Sequence, residues 1–232
     1  MSYVGNNTFG ILSSAQDGSI INYIYEYVIS ILQSFDGTSD ENENAITNRL
    51  CKTLEYKKPA TCPYFFHHQN LEDDRKNTST DFAAFGTFAY AMENSISNDG
   101  PPPLIKFETK RLNSTIPKKR EREYVIGEYE NGMCIKNSGG IERFKNLRHG
   151  KNVIHAGIIG YVQTGSFEHW VKKINGWVKD EIISPHDSSL TWDPDDYLKI
   201  DWSNSTLCHY ISILKRKNLM QLDMHHIWVK FN

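Results

Sequence analysis

Glu108 and Lys110 stand two residues apart in the segment Ile105-Lys106-Phe107-Glu108-Thr109-Lys110-Arg111. The segment reads as a β-strand, and strand residues two apart share a face. A carboxylate and an ammonium group are thereby held side by side, with Phe107 and Thr109 on the opposite face. A carboxylate can ligate a divalent metal ion, and a neighbouring cation can orient a water molecule or steady the charge that develops on a phosphate. Phosphodiester hydrolysis needs both, plus further oxygen ligands. Asp81, opening the apolar run 81–89, supplies a second carboxylate. The backbone carbonyl of Thr109 adds a neutral ligand between the two charged side chains. Lys106 falls on the Glu108 face and could meet a phosphate.

The elements that must position these groups follow from periodicity. Ile20, Ile24, Val28, Ile31 and Leu32 recur at helical spacing over residues 19–34, and Asp36-Gly37 ends that helix. A second helix starts within 40–44, where Asp40 and Glu43 have capping-box spacing, and places Ile46, Leu50 and Leu54 on one face. Pro59 and Pro63 bracket a break. Residues 64–68 form a short aromatic strand, 71–79 a charged loop and 81–89 a strand. Residues 98–103, with Gly100 and Pro101 to Pro103, are irregular, and 104–112 is the strand of Glu108.

Residues 113–122 are polar and locally basic, and Ser138-Gly139-Gly140 leads into a short helix over 141–147. The continuous apolar run within 152–163 fits a buried central strand. Ser166 caps a helix whose apolar face is Phe167, Trp170, Val171, Ile174, Trp177 and Val178. After a loop-rich stretch, 185–204, the alternating segments 207–215 and 222–231 flank Lys217-Asn218 as a β-hairpin. The expectation is an α/β fold: an N-terminal helical element over residues 1–38, then a mixed β-sheet domain flanked by helices over 39–232, ending in a C-terminal β-hairpin.

The 232 residues are 39% hydrophobic and 23% charged, a balance that folds rather than stays disordered. The formal net charge of -2 restricts any nucleic-acid contact to a local patch. Lys118, Lys119, Arg120 and Arg143 are the candidates, with Arg148 and Lys215 to Lys217 further out. Glu121, Glu123 and Glu142 are interleaved among them, which equally suits a solvated face. Cys51, Cys62, Cys134 and Cys208 form no CxxC pair and read as reduced thiols of a cytoplasmic protein. Residues 1–16 lack a secretory leader, and no run of about 18 apolar residues offers a membrane span. The adjacent pairs His67-His68 and His225-His226 would face opposite sides of a strand, so neither suggests zinc. Serine-hydrolase, P-loop and dinucleotide-binding motifs are missing from the sequence.

Asp81…Glu108-x-Lys110, on strands in this order, resembles the signature of the PD-(D/E)xK superfamily, the restriction-endonuclease-like nucleases. The resemblance runs over residues 43–163 and implies a mixed β-sheet core in the order helix, three strands, helix, strand. It implies that Asp81 and Glu108, with the Thr109 carbonyl, bind Mg²⁺, for which Mn²⁺ can substitute, and that Lys110 contacts the attacking water or the phosphate. Glu43 matches the glutamate that many members add from the preceding helix, with Glu55 a weaker match. Thr80 stands where the motif has proline, and Gln163 matches a glutamine found near the site in some members. The implied activity is metal-dependent phosphodiester hydrolysis, on DNA rather than RNA and as an endonuclease rather than an exonuclease. The implied working form is a homodimer or a larger assembly. The alternative is a catalytically inactive nucleic-acid- or partner-binding module on the same fold, or a subunit of a defence or mobile-element assembly docked through the first helix, although packing of that helix on its own domain is the favoured reading.

Overall fold

The computed structural model describes residues 17–73, 78–96 and 100–231. Two helices come first. Helix α1 (Asp17–Leu32) carries the apolar stripe expected of it, and α2 (Glu43–Lys57) buries Ile46, Leu50, Cys51 and Leu54. A meander of three antiparallel strands follows: β1 (Tyr64–Asp73), β2 (Thr78–Gly86) and β3 (Pro103–Leu112), with the short helix α3 (Phe88–Glu93) between β2 and β3. A small hairpin, β4 (Glu128–Glu130) and β5 (Met133–Lys136), precedes α4 (Gly140–Lys145). Then come β6 (His155–Val162), α5 (Phe167–Ile183), and the strands β7 (Lys199–Ser203), β8 (Leu207–Lys215) and β9 (Gln221–Lys230).

Seven strands form one mixed sheet in the order β1-β2-β3-β6-β9-β8-β7. The β3–β6 and β6–β9 pairs are parallel and the others antiparallel. Strand β6 sits at the centre and is apolar on both faces, as a strand covered from both sides must be. Ile159 and Tyr161 point to the core beneath α1 and α2, while Ile158 and Val162 point to the core beneath α5. Helix α1 is tied to this sheet by Tyr25, whose hydroxyl donates to the Ala156 carbonyl at 2.9 Å. Ser166 caps α5, accepting from the His169 N–H. Burying each large apolar side chain of α5 stabilises the fold by roughly 1.5–3 kcal/mol.

The mixed α/β class, the positions of α1, α2, β3, β6 and α5, and the terminal hairpin agree with the sequence reading. Several details differ. Asn42, not Asp40, caps α2: its Oδ1 accepts from the Ala45 N–H at 2.9 Å, while Asp40 accepts from the Thr38 hydroxyl. Strands β1 and β2 extend well into 71–79, the stretch read as a loop, because cross-strand pairing carries the polar ends along. Asp81 therefore lies inside β2 rather than opening it, and 88–93 is helical, started by the Thr87 cap. The β4–β5 hairpin and β7 were not expected; Asn131 and Gly132 both take the positive φ of the hairpin turn. The terminal hairpin is no appendage, since β9 pairs with the central strand. All four cysteines are free. No described helix is long and apolar enough to cross a membrane. Residues 1–16, read as lacking a leader, residues 74–77 of the expected loop and residues 97–99 lie outside the described residues.

Candidate functional site

Strands β2 and β3 pair from Phe85 and Pro103 as far as Phe82 and Phe107, whose rings stack at 4.6 Å between centroids, and then separate. The next stretch of β3 has its other edge on β6 but none of β2 beside it. Two carboxylates take the place of the missing strand. Thr109 N–H donates to Asp81 Oδ2 at 2.7 Å, and Arg111 N–H donates to Glu43 Oε2 at 2.9 Å. Alternate N–H groups of a strand point to the same edge, so β2 and α2 deliver Asp81 and Glu43 to neighbouring places along it. The Thr109 hydroxyl also donates to Asp81 Oδ2, at 2.7 Å, and lies 2.8 Å from the Thr47 hydroxyl of α2. Thr47 in turn lies 3.2 Å from the Tyr161 hydroxyl, which links α2 to the central strand.

Glu108 and Lys110 occupy the other face, as strand alternation requires, and both are buried. Glu108 Oε2 lies 3.4 Å from Lys110 Nζ and 3.3 Å from Arg143 Nη1. Its Oε1 lies 2.7 Å from His149 Nδ1. That close pair is not aligned as a hydrogen bond, which leaves both atoms buried without a properly directed partner. Arg143 is anchored by its Nε, which donates to the Asn137 carbonyl at 2.8 Å.

Burial and charge drive these groups apart. Burial, and then the Glu108 charge, push the Asp81 carboxyl up to about 7 against the pull of Lys110. Burial likewise raises Glu43, partly offset by Lys110. For Glu108 burial also opposes ionisation, but His149, Lys110 and Arg143 outweigh it and hold the carboxyl down at about 2. Lys110 is penalised by burial, yet the Glu43, Glu108 and Asp81 charges keep its ammonium above the usual lysine range. Two carboxyl groups of opposite tendency around one lysine are what acid–base and ligand roles require of a site.

Asp81, Glu108, Thr109, Lys110 and Glu43 are thus brought together, and Arg143 joins them. Lys118 and Lys119 are exposed and outside this cluster; Lys119 lies 4.0 Å from Glu128. Arg120 is engaged by Glu123 through two hydrogen bonds, of 2.9 and 3.0 Å. Lys106 is turned to Glu72, 3.2 Å away, and to Asn70. Glu55 accepts from the Phe66 N–H and is spent on fixing β1. Gln163 accepts from Asn113 and donates to the Thr38 and Glu41 carbonyls, so it fastens the loop that leads into α2 and Glu43. Arg216, read as a surface cation at the hairpin tip, is buried and donates to the Gly150 and Val153 carbonyls. His149 was missed, and no spacing marks it: it sits on a turn after α4, and only the fold carries it to β3.

Among the described residues, no group of three or more His, Cys, Asp or Glu side chains is gathered to hold a metal ion. An Mg²⁺ ion asks for less, one or two carboxylates completed by other oxygens. The donors here suit it: all are oxygens, and Asp81 directs its hydrogen bonds through Oδ2 alone. Among known protein families, curated proteins and solved structures, none matches this chain.

Proposed function

We propose that this protein is a divalent-metal-dependent nuclease on a restriction-endonuclease-like core, cutting phosphodiester bonds within DNA. The observation that carries this reading is the gathering of Glu43, Asp81, Glu108 and Lys110, from three separate elements, around the stretch of β3 that β2 leaves free. The topology supports it: with α3 and the β4–β5 hairpin as insertions, α2, the β1–β2–β3 meander, α4, and β6 parallel to β3 follow the order helix, three strands, helix, strand.

Asp81 and Glu108, with the Thr109 carbonyl, would hold Mg²⁺ or Mn²⁺, and Glu43 would stand behind them through Arg111 N–H. When bound, the ion supplies positive charge to the phosphate and makes a water more acidic. Lys110 holds its proton firmly among three carboxylates, so its role is to orient the attacking water and steady charge rather than to accept a proton. Arg143 keeps part of its guanidinium at the surface while it touches Glu108, which suits a contact to the scissile phosphate. Lys118 and Lys119, exposed nearby in sequence, suit backbone contacts that position without reading bases.

The test supplies supercoiled plasmid, linear duplex, single strands and RNA with Mg²⁺ or Mn²⁺, and compares wild type with Glu108→Ala and Lys110→Ala. Cleavage of DNA by wild type alone supports the reading; no cleavage, or equal cleavage by the variants, refutes it. The cations crowding Glu108 favour a second reading, an inactive binding module on the same fold. The two differ in metal response: only an intact site gives thermal stabilisation by Mn²⁺ that Asp81→Ala removes.

A further inference from the structure

We infer that His149 is a positioning residue of this same site, setting the orientation of the Glu108 carboxylate toward the metal. The inference rests on the metal-site reading above and adds a residue to it.

Three observations carry it. His149 is 2% exposed, and its Nδ1 lies 2.7 Å from Glu108 Oε1 without the alignment of a settled hydrogen bond. A buried polar pair left in that state is costly unless another partner completes it. Second, the turn that presents His149 is held from several directions. Its own N–H donates to the Arg143 carbonyl at 3.0 Å. The N–H of the next residue, Gly150, donates to the Glu72 carboxylate at 3.1 Å, and the Gly150 carbonyl accepts from the buried Arg216 at 3.0 Å. Third, the turn needs left-handed backbone at Leu147 (φ 63°) and at Gly150 (φ 64°). Leu147 has no glycine's freedom there, and such a conformation persists only where its surroundings enforce it. Two buried charges and a strained residue fix one turn, and that turn puts an imidazole against Glu108.

The geometry explains how the ring acts. Lys110 and Arg143 both reach Oε2, whereas His149 alone addresses Oε1. Without the ring, the carboxylate would be free to rotate about its last bond toward the two cations. With it, each oxygen faces a nitrogen atom and the plane of the carboxylate is set. Groups that orient a ligand in this way typically account for about 10–100-fold in metal affinity.

The experiment measures Mn²⁺ binding from the loss of the free-ion EPR signal, in wild type, Asp81→Ala, His149→Ala and His149→Asn. Asparagine returns an N–H near the Nδ1 position. The expected result is binding weakened about tenfold in His149→Ala and largely restored in His149→Asn. Circular dichroism checks folding, and His149→Leu, which keeps bulk without the N–H, replaces the alanine variant if that one does not fold. Equal binding by wild type and the folded Ala or Leu variant, or a loss that His149→Asn does not restore, overturns the inference while the metal site stands. Wild type that takes up no Mn²⁺ overturns the metal site itself.

Discussion

Replacing Asp81 by Asn should stabilise the protein when divalent cations are removed, and the gain should grow with pH. The unfolded carboxyl ionises near 3.8, and the folded one only at about 7. Between those values the folded state holds a proton that the unfolded state has lost. Stability therefore falls as pH rises from about 4 to 7 and levels off above. Each unit of separation is worth about 1.4 kcal/mol, so roughly three units set a ceiling of about 4 kcal/mol at pH 8, against about 1 kcal/mol at pH 4.5. Asp81 keeps a partly exposed edge, and solvent screening reduces the expected gain at pH 8 to about 2 kcal/mol. Asparagine retains what the fold uses, because the Thr109 N–H and hydroxyl both donate to a single oxygen. Urea denaturation in EDTA, followed by circular dichroism at pH 4.5, 6 and 8, measures the difference at unchanged slope. The variant's midpoint should exceed that of wild type at pH 8, and the gap should close toward pH 4.5. Added Mn²⁺ at pH 8 should then stabilise wild type and leave the variant where it was. A variant less stable than wild type at pH 8, or a gap independent of pH, would show that the carboxylate is not held in the unrelieved field described here.

Glu108→Gln should act in the opposite sense, costing about 3 kcal/mol at neutral pH, since it leaves the buried Lys110, with the half-buried Arg143 nearby, beside a neutral group. Because Glu108 is held at about 2, its contribution is complete above about pH 4.5 and is lost as pH falls toward 2, so the acid limbs of the two urea-stability curves should converge. Gly157→Ala should lower the thermal midpoint by about 5 °C, from a loss of about 2 kcal/mol: the new Cβ would lie 2.5 Å from the Phe107 ring, which stacking on Phe82 prevents from retreating. Calorimetry that finds no shift would mean that β3 and β6 part more easily than the packing implies.

What was legible in the chain is what strand and helix periodicity dictate locally. Period two alone puts Glu108 and Lys110 on one face and Thr109 on the other, and apolar content alone identifies β6 as central. The partners of those residues were legible only where a motif linked distant segments, as with Asp81 and Glu43. His149 had no such signal: its approach to Glu108 depends on Glu72, Arg216 and a left-handed Leu147, which lie up to 78 positions apart in hydrogen-bonded pairs. The β4–β5 hairpin did announce itself in Asn131-Gly132, a strong turn signal, but the runs that flank it, of three and four residues, are too short to read as strands. Ionisation was the least legible property. Asp81 and Glu108 are both carboxylates on adjacent strands, yet one is driven up to about 7 and the other held at about 2. The difference arises because α4 and its turn bring Arg143 and His149 to Glu108 alone, while Asp81 faces backbone and hydroxyl donors and the charge of its neighbour. A strand pattern specifies which side chains share a face. The charge each one carries is decided by elements that cross from elsewhere in the chain, and at this site those elements favour an anion at Glu108 and incline Asp81 to keep its proton.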